Sequence, residues 1–375
     1  MSLAVSSGGL FVQSRNNCRF SKESGRMGAV PGTYELVTGG LPYIVVYGLP
    51  DTQIIVHGVI HGAESRLGLS TSATPKAHER RRAPYTLGTV EVRPAPAALG
   101  AEIRGVDLAA GIDAQTLAIL RAAWAEHSVL VWRGQSLSVE QHLSVGRAFG
   151  ELENMSHVVA AIGLPPEILV VENDPALNAA ADVPDSYAHG FRNDSVIWHS
   201  DNSYRANPPD GSLLYVRAVP PTGGATNFCD MTAALTALPP GLRAKIDGRE
   251  AIHDPSLNSA GVPRKGASPP KDVSQGHGPR HPLVRRHPVS GRDALYLGRR
   301  PYCYICGYSV AESEDLLDRL WSHATDERFV WQRDANKAGD LFMWDNRSVM
   351  HARDGFDANQ PRLVHRLQFI GGSAT

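Results

Sequence analysis

The sequence predicts a mainly β fold: a double-stranded β-helix (jelly-roll) barrel with peripheral helices, preceded by a short β-rich N-terminal fragment. Three observations lead there. Short runs rich in Val, Ile, Leu and aromatic residues recur along the chain, broken by Gly and Pro, the pattern of many short strands. Few segments carry helical start signals. Hydrophobic residues make up 42% and charged residues 20% of the 375 positions, an ordinary globular composition able to build a sizeable core.

Residues 1–84 read differently from the rest. Val30–Val37, Leu41–Tyr47 and Gln53–Gly62 are rich in β-branched and aromatic residues and broken at Gly-Gly and Leu-Pro-Asp, which predicts two or three antiparallel strands. Over about residues 25–65 this stretch resembles the C-terminal strands of ParE-type toxins. The helical part that should precede those strands is missing, so residues 1–65 read as a partial, remnant fragment. Residues 66–84, with Ser, Thr, Pro and the run Glu79-Arg80-Arg81-Arg82, read as a flexible linker.

The main domain, 85–375, begins near Tyr85. Thr89–Arg93 alternates like a strand and Gly100–Leu108 follows. Asp113 is placed to N-cap a helix running to about His127, with Leu117, Leu120 and Trp124 on one face. Val129–Trp132 reads as a buried strand, and Ser138 with Gln141 as a capping box for a helix through Phe149. Strands are expected at Ser195–Trp198, Leu213–Val219, Ala294–Leu297, Phe329–Gln332, Leu341–Trp344 and Leu363–Ile370, and helices near Met231–Leu238 and Glu314–His323. Two segments, about 177–194 and 254–282, read as lid loops.

Charge and cysteines narrow the classes. The formal net charge is -1, which gives no bulk attraction to nucleic acid or anionic membrane. No apolar run is long enough for a transmembrane helix, and residues 1–9 carry no secretory pattern. The 4 cysteines do not form a disulfide framework, and Cys303-Tyr-Ile-Cys306 reads as two ordinary thiols. The expectation is a reduced, cytoplasmic enzyme, with its oligomeric state open.

One stretch carries chemistry. His199 and Asp201 lie two residues apart at the end of the apolar run Ser195–Trp198. On a strand, i and i+2 share a face, which sets an imidazole and a carboxylate side by side. With a distant histidine, such a pair makes the two-His, one-carboxylate set of non-haem Fe(II) oxygenases. The chain has 15 histidines but a single His-x-Asp.

Four segments, that stretch among them, carry the signal: Ser128–Gln135, Trp198–Ser203, Pro220–Met231, and Met343–Arg347 with His351. Through them, residues from Tyr85 to the C-terminus resemble the TauD/TfdA family of Fe(II)/2-oxoglutarate dioxygenases, nearer its 2,4-dichlorophenoxyacetate members than its taurine members. The resemblance implies His199, Asp201 and His351 as the Fe(II) ligands, and Arg362 with the Thr226 hydroxyl as the partners of the 2-oxoglutarate C5 carboxylate. Arg366 matches the position that holds the acid group of the primary substrate. On a last strand starting near Pro361, Arg362 and Arg366 share a face, and a guanidinium fork suits a carboxylate. Trp344 is expected close to the iron without a catalytic part. The co-substrates implied are 2-oxoglutarate and O2, and the products succinate and CO2. The primary substrate is expected to be a small acid: an aryloxyalkanoate, a sulfonate or an alkyl sulfate. Residues 152–159 lack the His and Tyr pattern of taurine-type members, which argues against taurine. The alternative is a toxin-type binding module fused to an inactive metal-binding barrel, tested by whether residues 1–84 alone arrest growth.

Overall fold

The computed structural model describes residues 2–6, 9–13, 18–20, 26–27, 33–37, 43–48, 55–61, 80–155, 163–173, 195–258, 263–264, 266–333 and 336–372. The expected 177–194 lid lies outside them. The chain divides into two compact units, Met1–Ala77 and His78–Thr375.

In the first unit, the expected strands fall at Thr33–Val37, Tyr43–Gly48 and Ile55–His61 and pair antiparallel in sequence order, with Arg26–Met27 added at the edge. Where the helical part was missing, Ser2–Ser6, Gly9–Gln13 and Cys18–Phe20 form a separate three-stranded antiparallel sheet.

In the second unit, two sheets carry the site, and their strands are numbered β1–β12. They are β1 (Tyr85–Leu87), β2 (Val90–Pro94), β3 (Ala101–Arg104), β4 (Val129–Trp132), β5 (Leu169–Asn173), β6 (Val196–His199), β7 (Gly211–Ala218), β8 (Thr226–Asp230), β9 (Val330–Trp331), β10 (Leu341–Asp345), β11 (Val349–Arg353) and β12 (Arg362–Phe369). The larger sheet runs β5-β12-β7-β10-β4-β3-β2-β1, and the smaller β6-β11-β8-β9. Pairing is antiparallel except for β3 with β4. Phe228 from the smaller sheet packs with Val129, Leu214, Phe342 and Trp344 from the larger, forming a dry layer between them.

The helices start where the sequence signalled. Asp113 accepts from Thr116 N at 2.7 Å and caps α1 (Ala114–His127). Ser138 and Gln141 close the capping box of α2 (Val139–Phe149). Asp230 caps α3 (Met231–Thr236), and α4 (Pro240–Ile246) follows. A second capping box, Ser309 with Glu312, starts α5 (Val310–Ala324) four residues before the expected Glu314. The described part of 254–282 is tied back: Asp254 accepts from Ser256 N and His277 N, and Arg280–Pro282 pairs with Glu250–His253. Cys303 and Cys306 are free thiols.

The end of the expected linker is anchored rather than solvated. The Arg80 guanidinium is buried against the Asp230 carboxylate, and also donates to Ser128 Oγ at 3.1 Å and to the carbonyls of Ala98 and Glu126. Arg81 makes a forked pair with Glu126 and stacks on Tyr85 at 3.7 Å, and Arg82 donates to Ala97 O.

Candidate metal and co-substrate site

β6 places His199 at its last residue, and the chain then turns so that Asp201 faces back toward it. β11 pairs with β6 so that His351 lies directly across from His199. The three ligand atoms lie within 4.8 Å of one another, close enough for one ion to touch all three, and all three residues are buried. The expected triad is therefore assembled from the last residue of β6, the turn that follows it and β11; the turn, not a continued strand, brings Asp201 beside His199.

The orientation of each group fits an Fe(II) ion. His199 Nδ1 is 2.8 Å from the Ile197 carbonyl, which fixes the tautomer with Nε2 free as a ligand. The Nε2 atoms of His199 and His351 both turn toward Asp201 Oδ1, at 3.5 and 3.7 Å. Burial lowers the pKa of both imidazoles, that of His351 well below its ordinary value, so each offers a lone pair. Burial works against ionising Asp201, but Arg366 and His351 outweigh it and hold its carboxyl well below the usual range. Asp201 Oδ2 is engaged by the Arg366 guanidinium and by Ser212 Oγ at 3.2 Å.

Some supporting contacts carry no local sequence pattern. Asn346 brackets the main chain of Asp201: its Oδ1 accepts the Asp201 N–H at 2.6 Å, and its Nδ2 donates to the Asp201 carbonyl at 3.0 Å. Flanking it, Asp345 is paired with Arg347 at 2.7 Å and His287 at 2.8 Å. On the other side, Ser200 N donates to Gly298 O at 2.9 Å and His199 bridges to Arg299. Gly298 has φ +66°, and a Cβ there would meet the His253 ring at 2.0 Å, so only glycine lets these two segments close.

The remaining expected residues lie on strands facing this cluster. Arg362 and Arg366 both sit on β12 and share a face, as their spacing predicted. Arg362 is 3% exposed, its Nε has no hydrogen-bond partner among the described residues, and burial first, then the Arg353 charge, lowers its pKa to about 9. Thr226 is buried at the start of β8. The Arg366 NH2 group contacts Asp201 and Ser212, while its Nε is buried without a partner among the described residues. Trp344 packs 4.8 Å from His351, and the Arg366 guanidinium lies 5.1 Å from its ring.

Two imidazoles and one carboxylate, buried and within ligand distance of one another, with the Arg366 guanidinium against the carboxylate, define a centre of the non-haem Fe(II) oxygenase kind. The family described as taurine catabolism dioxygenase TauD, TfdA family matches residues 91–368, and the chain belongs to it. The 2-oxoglutarate-dependent 2,4-dichlorophenoxyacetate dioxygenase of Cupriavidus pinatubonensis is 33% identical, over 74% of this chain and 96% of its own. The 2-oxoglutarate-dependent sulfate ester dioxygenase of Pseudomonas putida is 32% identical, over 77% and 92%. Among solved structures, a taurine dioxygenase from Burkholderia xenovorans is 30% identical with a TM-score of 0.59, covering 76% of this chain and 92% of that one. AAD-2 in complex with Mn(II) and N-oxalylglycine is 29% identical with a TM-score of 0.60, covering 77% and 100%. The chain is an Fe(II)- and 2-oxoglutarate-dependent dioxygenase using O2. The alternative of a toxin module carried by an inactive barrel does not fit these relatives.

Proposed function

We propose that this dioxygenase hydroxylates a small organic anion: an aryloxyalkanoate-like acid, a sulfonate or an alkyl sulfate. Oxidation at the carbon beside the ether oxygen or sulfur group gives a product that collapses with C–O or C–S cleavage, while 2-oxoglutarate leaves as succinate and CO2. The observation that carries the reading is Arg366, whose buried Nε, without a partner among the described residues, lies on the guanidinium that touches Asp201. A desolvated cation edge beside the metal selects an acid. The printed names of the relatives, covering phenoxyalkanoates, sulfate esters and alkyl sulfates, support the same class.

Fe(II) with 2-oxoglutarate and O2 supplies the oxidising power that places an oxygen atom in a substrate C–H bond. The chain's own groups do the rest. His199, Asp201 and His351 hold the ion from one side. Arg362 and Thr226 receive the far carboxylate of 2-oxoglutarate. Arg366 orients Asp201 through NH2 and receives the substrate acid through its Nε edge. Phe228 and Trp344 pack beside His351 and keep water from that side.

We read the two sheets as the halves of a double-stranded β-helix barrel. Residues 25–65 keep the reading of a ParE-toxin-like remnant that takes no part in catalysis. The test is succinate release with Fe(II) and ascorbate across aryloxyalkanoates, sulfonates and alkyl sulfates, each acid run beside its neutral ester. Turnover of an acid but not of its ester, abolished in His199→Ala, is expected. Equal turnover of the ester would overturn the substrate class.

A further inference from the structure

The turn that carries Asp201 is held on a side away from the metal ligands as well. It follows β6 directly, and within it Asn202 takes the left-handed backbone, φ +47°. The Asn202 side-chain amide is held at both ends. Its Oδ1 accepts from the Tyr204 hydroxyl at 2.9 Å, and its Nδ2 donates to Gln368 Oε1 at 3.2 Å. Gln368 lies on β12, two residues past Arg366, and pairs directly with Ser212 of β7. Ser212 and Arg366 are the two groups on Asp201 Oδ2. Asn202 therefore joins Tyr204 to the same two strands that fix the carboxylate.

The ring of Tyr204 meets a different segment. The guanidiniums of Arg264 and Arg299 lie 4.4 and 5.1 Å from its centroid. Both also donate to one acceptor, the Leu257 carbonyl, at 3.3 and 2.9 Å. Leu257 bridges to Pro263, and Arg264 N donates to Ser256 O at 2.8 Å, so 256–258 and 263–264 close into a small neck. This neck belongs to the stretch 254–282 that the sequence marks as a loop. The far end of that stretch reaches the same turn by a separate contact. Buried His281 donates from Nε2 to the carbonyls of Ser203 and Arg205, at 2.9 and 3.0 Å. A cation against an aromatic ring and a directed hydroxyl bond are independent interactions. Tyr204 makes both, one toward the neck and one toward Asn202.

We propose that Tyr204 is a positioning residue that couples the neck to the metal ligand Asp201 through Asn202. Filling the metal site then steadies the neck, and loosening the neck weakens the metal, because such a coupling is reciprocal. The inference rests on the reading of Asp201 as a metal ligand.

Hydrogen exchange and calorimetric Mn(II) titration of the full chain test this without turnover. In the unaltered protein, Mn(II) is expected to slow exchange about tenfold in the 201–205 turn, in the neck and around His281. Tyr204→Phe keeps a ring beside the guanidiniums and loses the bond to Asn202. It is expected to bind Mn(II) about tenfold more weakly. It also loses the Mn(II)-dependent slowing in the neck alone, while the turn and the residues around His281 keep theirs. Tyr204→Leu removes both links, so exchange in its neck is faster even without metal. Exchange raised everywhere alike in these variants would mean a merely structural role and overturn the inference. Neck slowing that persists in Tyr204→Phe would overturn it too, as would an unaltered protein that binds Mn(II) with no slowing in the neck; the metal site stands in each of these cases. Failure of Mn(II) to bind, or unchanged binding in His199→Ala, would overturn the metal reading itself and the coupling with it.

Discussion

Asn346 grips the main chain of Asp201 from both sides, taking its N–H and giving a hydrogen bond to its carbonyl. A third bond, from Nδ2 to Pro209 O at 2.9 Å, fixes the amide itself. Asn346→Ala leaves one buried donor, the Asp201 N–H, and two acceptors, the carbonyls of Asp201 and Pro209, without Asn346, at about 1–3 kcal/mol each. A loss of about 3 kcal/mol or more in chemical denaturation is expected, with Mn(II) affinity reduced about 10–100-fold. Unchanged metal affinity in a folded variant would show that Asp201 is positioned without Asn346.

Arg366→Ala removes the cation on Asp201 Oδ2. The carboxyl is then left with burial, which raises its pKa, against the two histidines. Metal affinity is expected to fall about 10–100-fold, and the KM for the acid substrate to rise. Arg366→Lys restores the charge without the fork, so metal affinity returns further than substrate KM. A variant that loses only substrate affinity would separate Arg366 from Asp201.

Arg80 sets the N-terminal boundary of the catalytic unit. A chain beginning at His78 keeps the Arg80–Asp230 pair; one beginning at Tyr85 strips it and leaves Asp230, fully buried, with its two helix-capping N–H donors. Removing one partner of a buried pair costs about 3–5 kcal/mol. Thermal melting should show the Tyr85 chain several degrees less stable and the His78 chain unchanged from full length. Equal melting of the two would show the pair to be dispensable.

His142 gives the domain an acid-sensitive element. Its ring packs 5.5 Å from Tyr215, neither nitrogen has a partner among the described residues, and burial lowers its pKa to about 3. The unfolded chain binds this proton below about pH 6.5 while the folded one does not. The stability tied to His142 is therefore intact above about pH 6.5 and falls as pH drops toward 3. His142→Leu should flatten that limb, being favoured by about 2 kcal/mol at pH 5 relative to its standing at pH 7.5. Parallel stability curves from pH 7.5 to 5 would overturn this.

What was legible in the sequence was what strand and helix periodicity writes locally. His199 and Asp201 were paired by the rule that two residues on a strand share a face, although β6 ends at His199 and it is a turn that brings Asp201 alongside. The same rule carried Arg362 and Arg366, and capping residues marked α1 and α2. Asn346, Gly298 and Arg80 were not readable in this way. Asn346 and Asp201 are 145 residues apart, and Arg80 and Asp230 are 150 apart. Such contacts join a side chain to a distant main chain or cap, and no period in the sequence encodes them. Arg80 reads as one of three arginines in a basic run until Asp230 is found beneath it.

The division of labour on Asp201 decides how many places at the metal stay open. Oδ1 faces the two histidines, whereas Oδ2 is claimed by Arg366 and Ser212. A carboxylate tethered this way is a one-handed ligand: it cannot swing its second oxygen onto the ion. Fe(II) would be held by one nitrogen each from His199 and His351 and one oxygen from Asp201, which would leave room for the chelating end of 2-oxoglutarate and for O2. A second oxygen from Asp201 would take up part of that room. Besides the part proposed for it toward an acid, Arg366 would thus set, through its hold on Asp201 Oδ2, how much of the centre stays open to everything else that must bind.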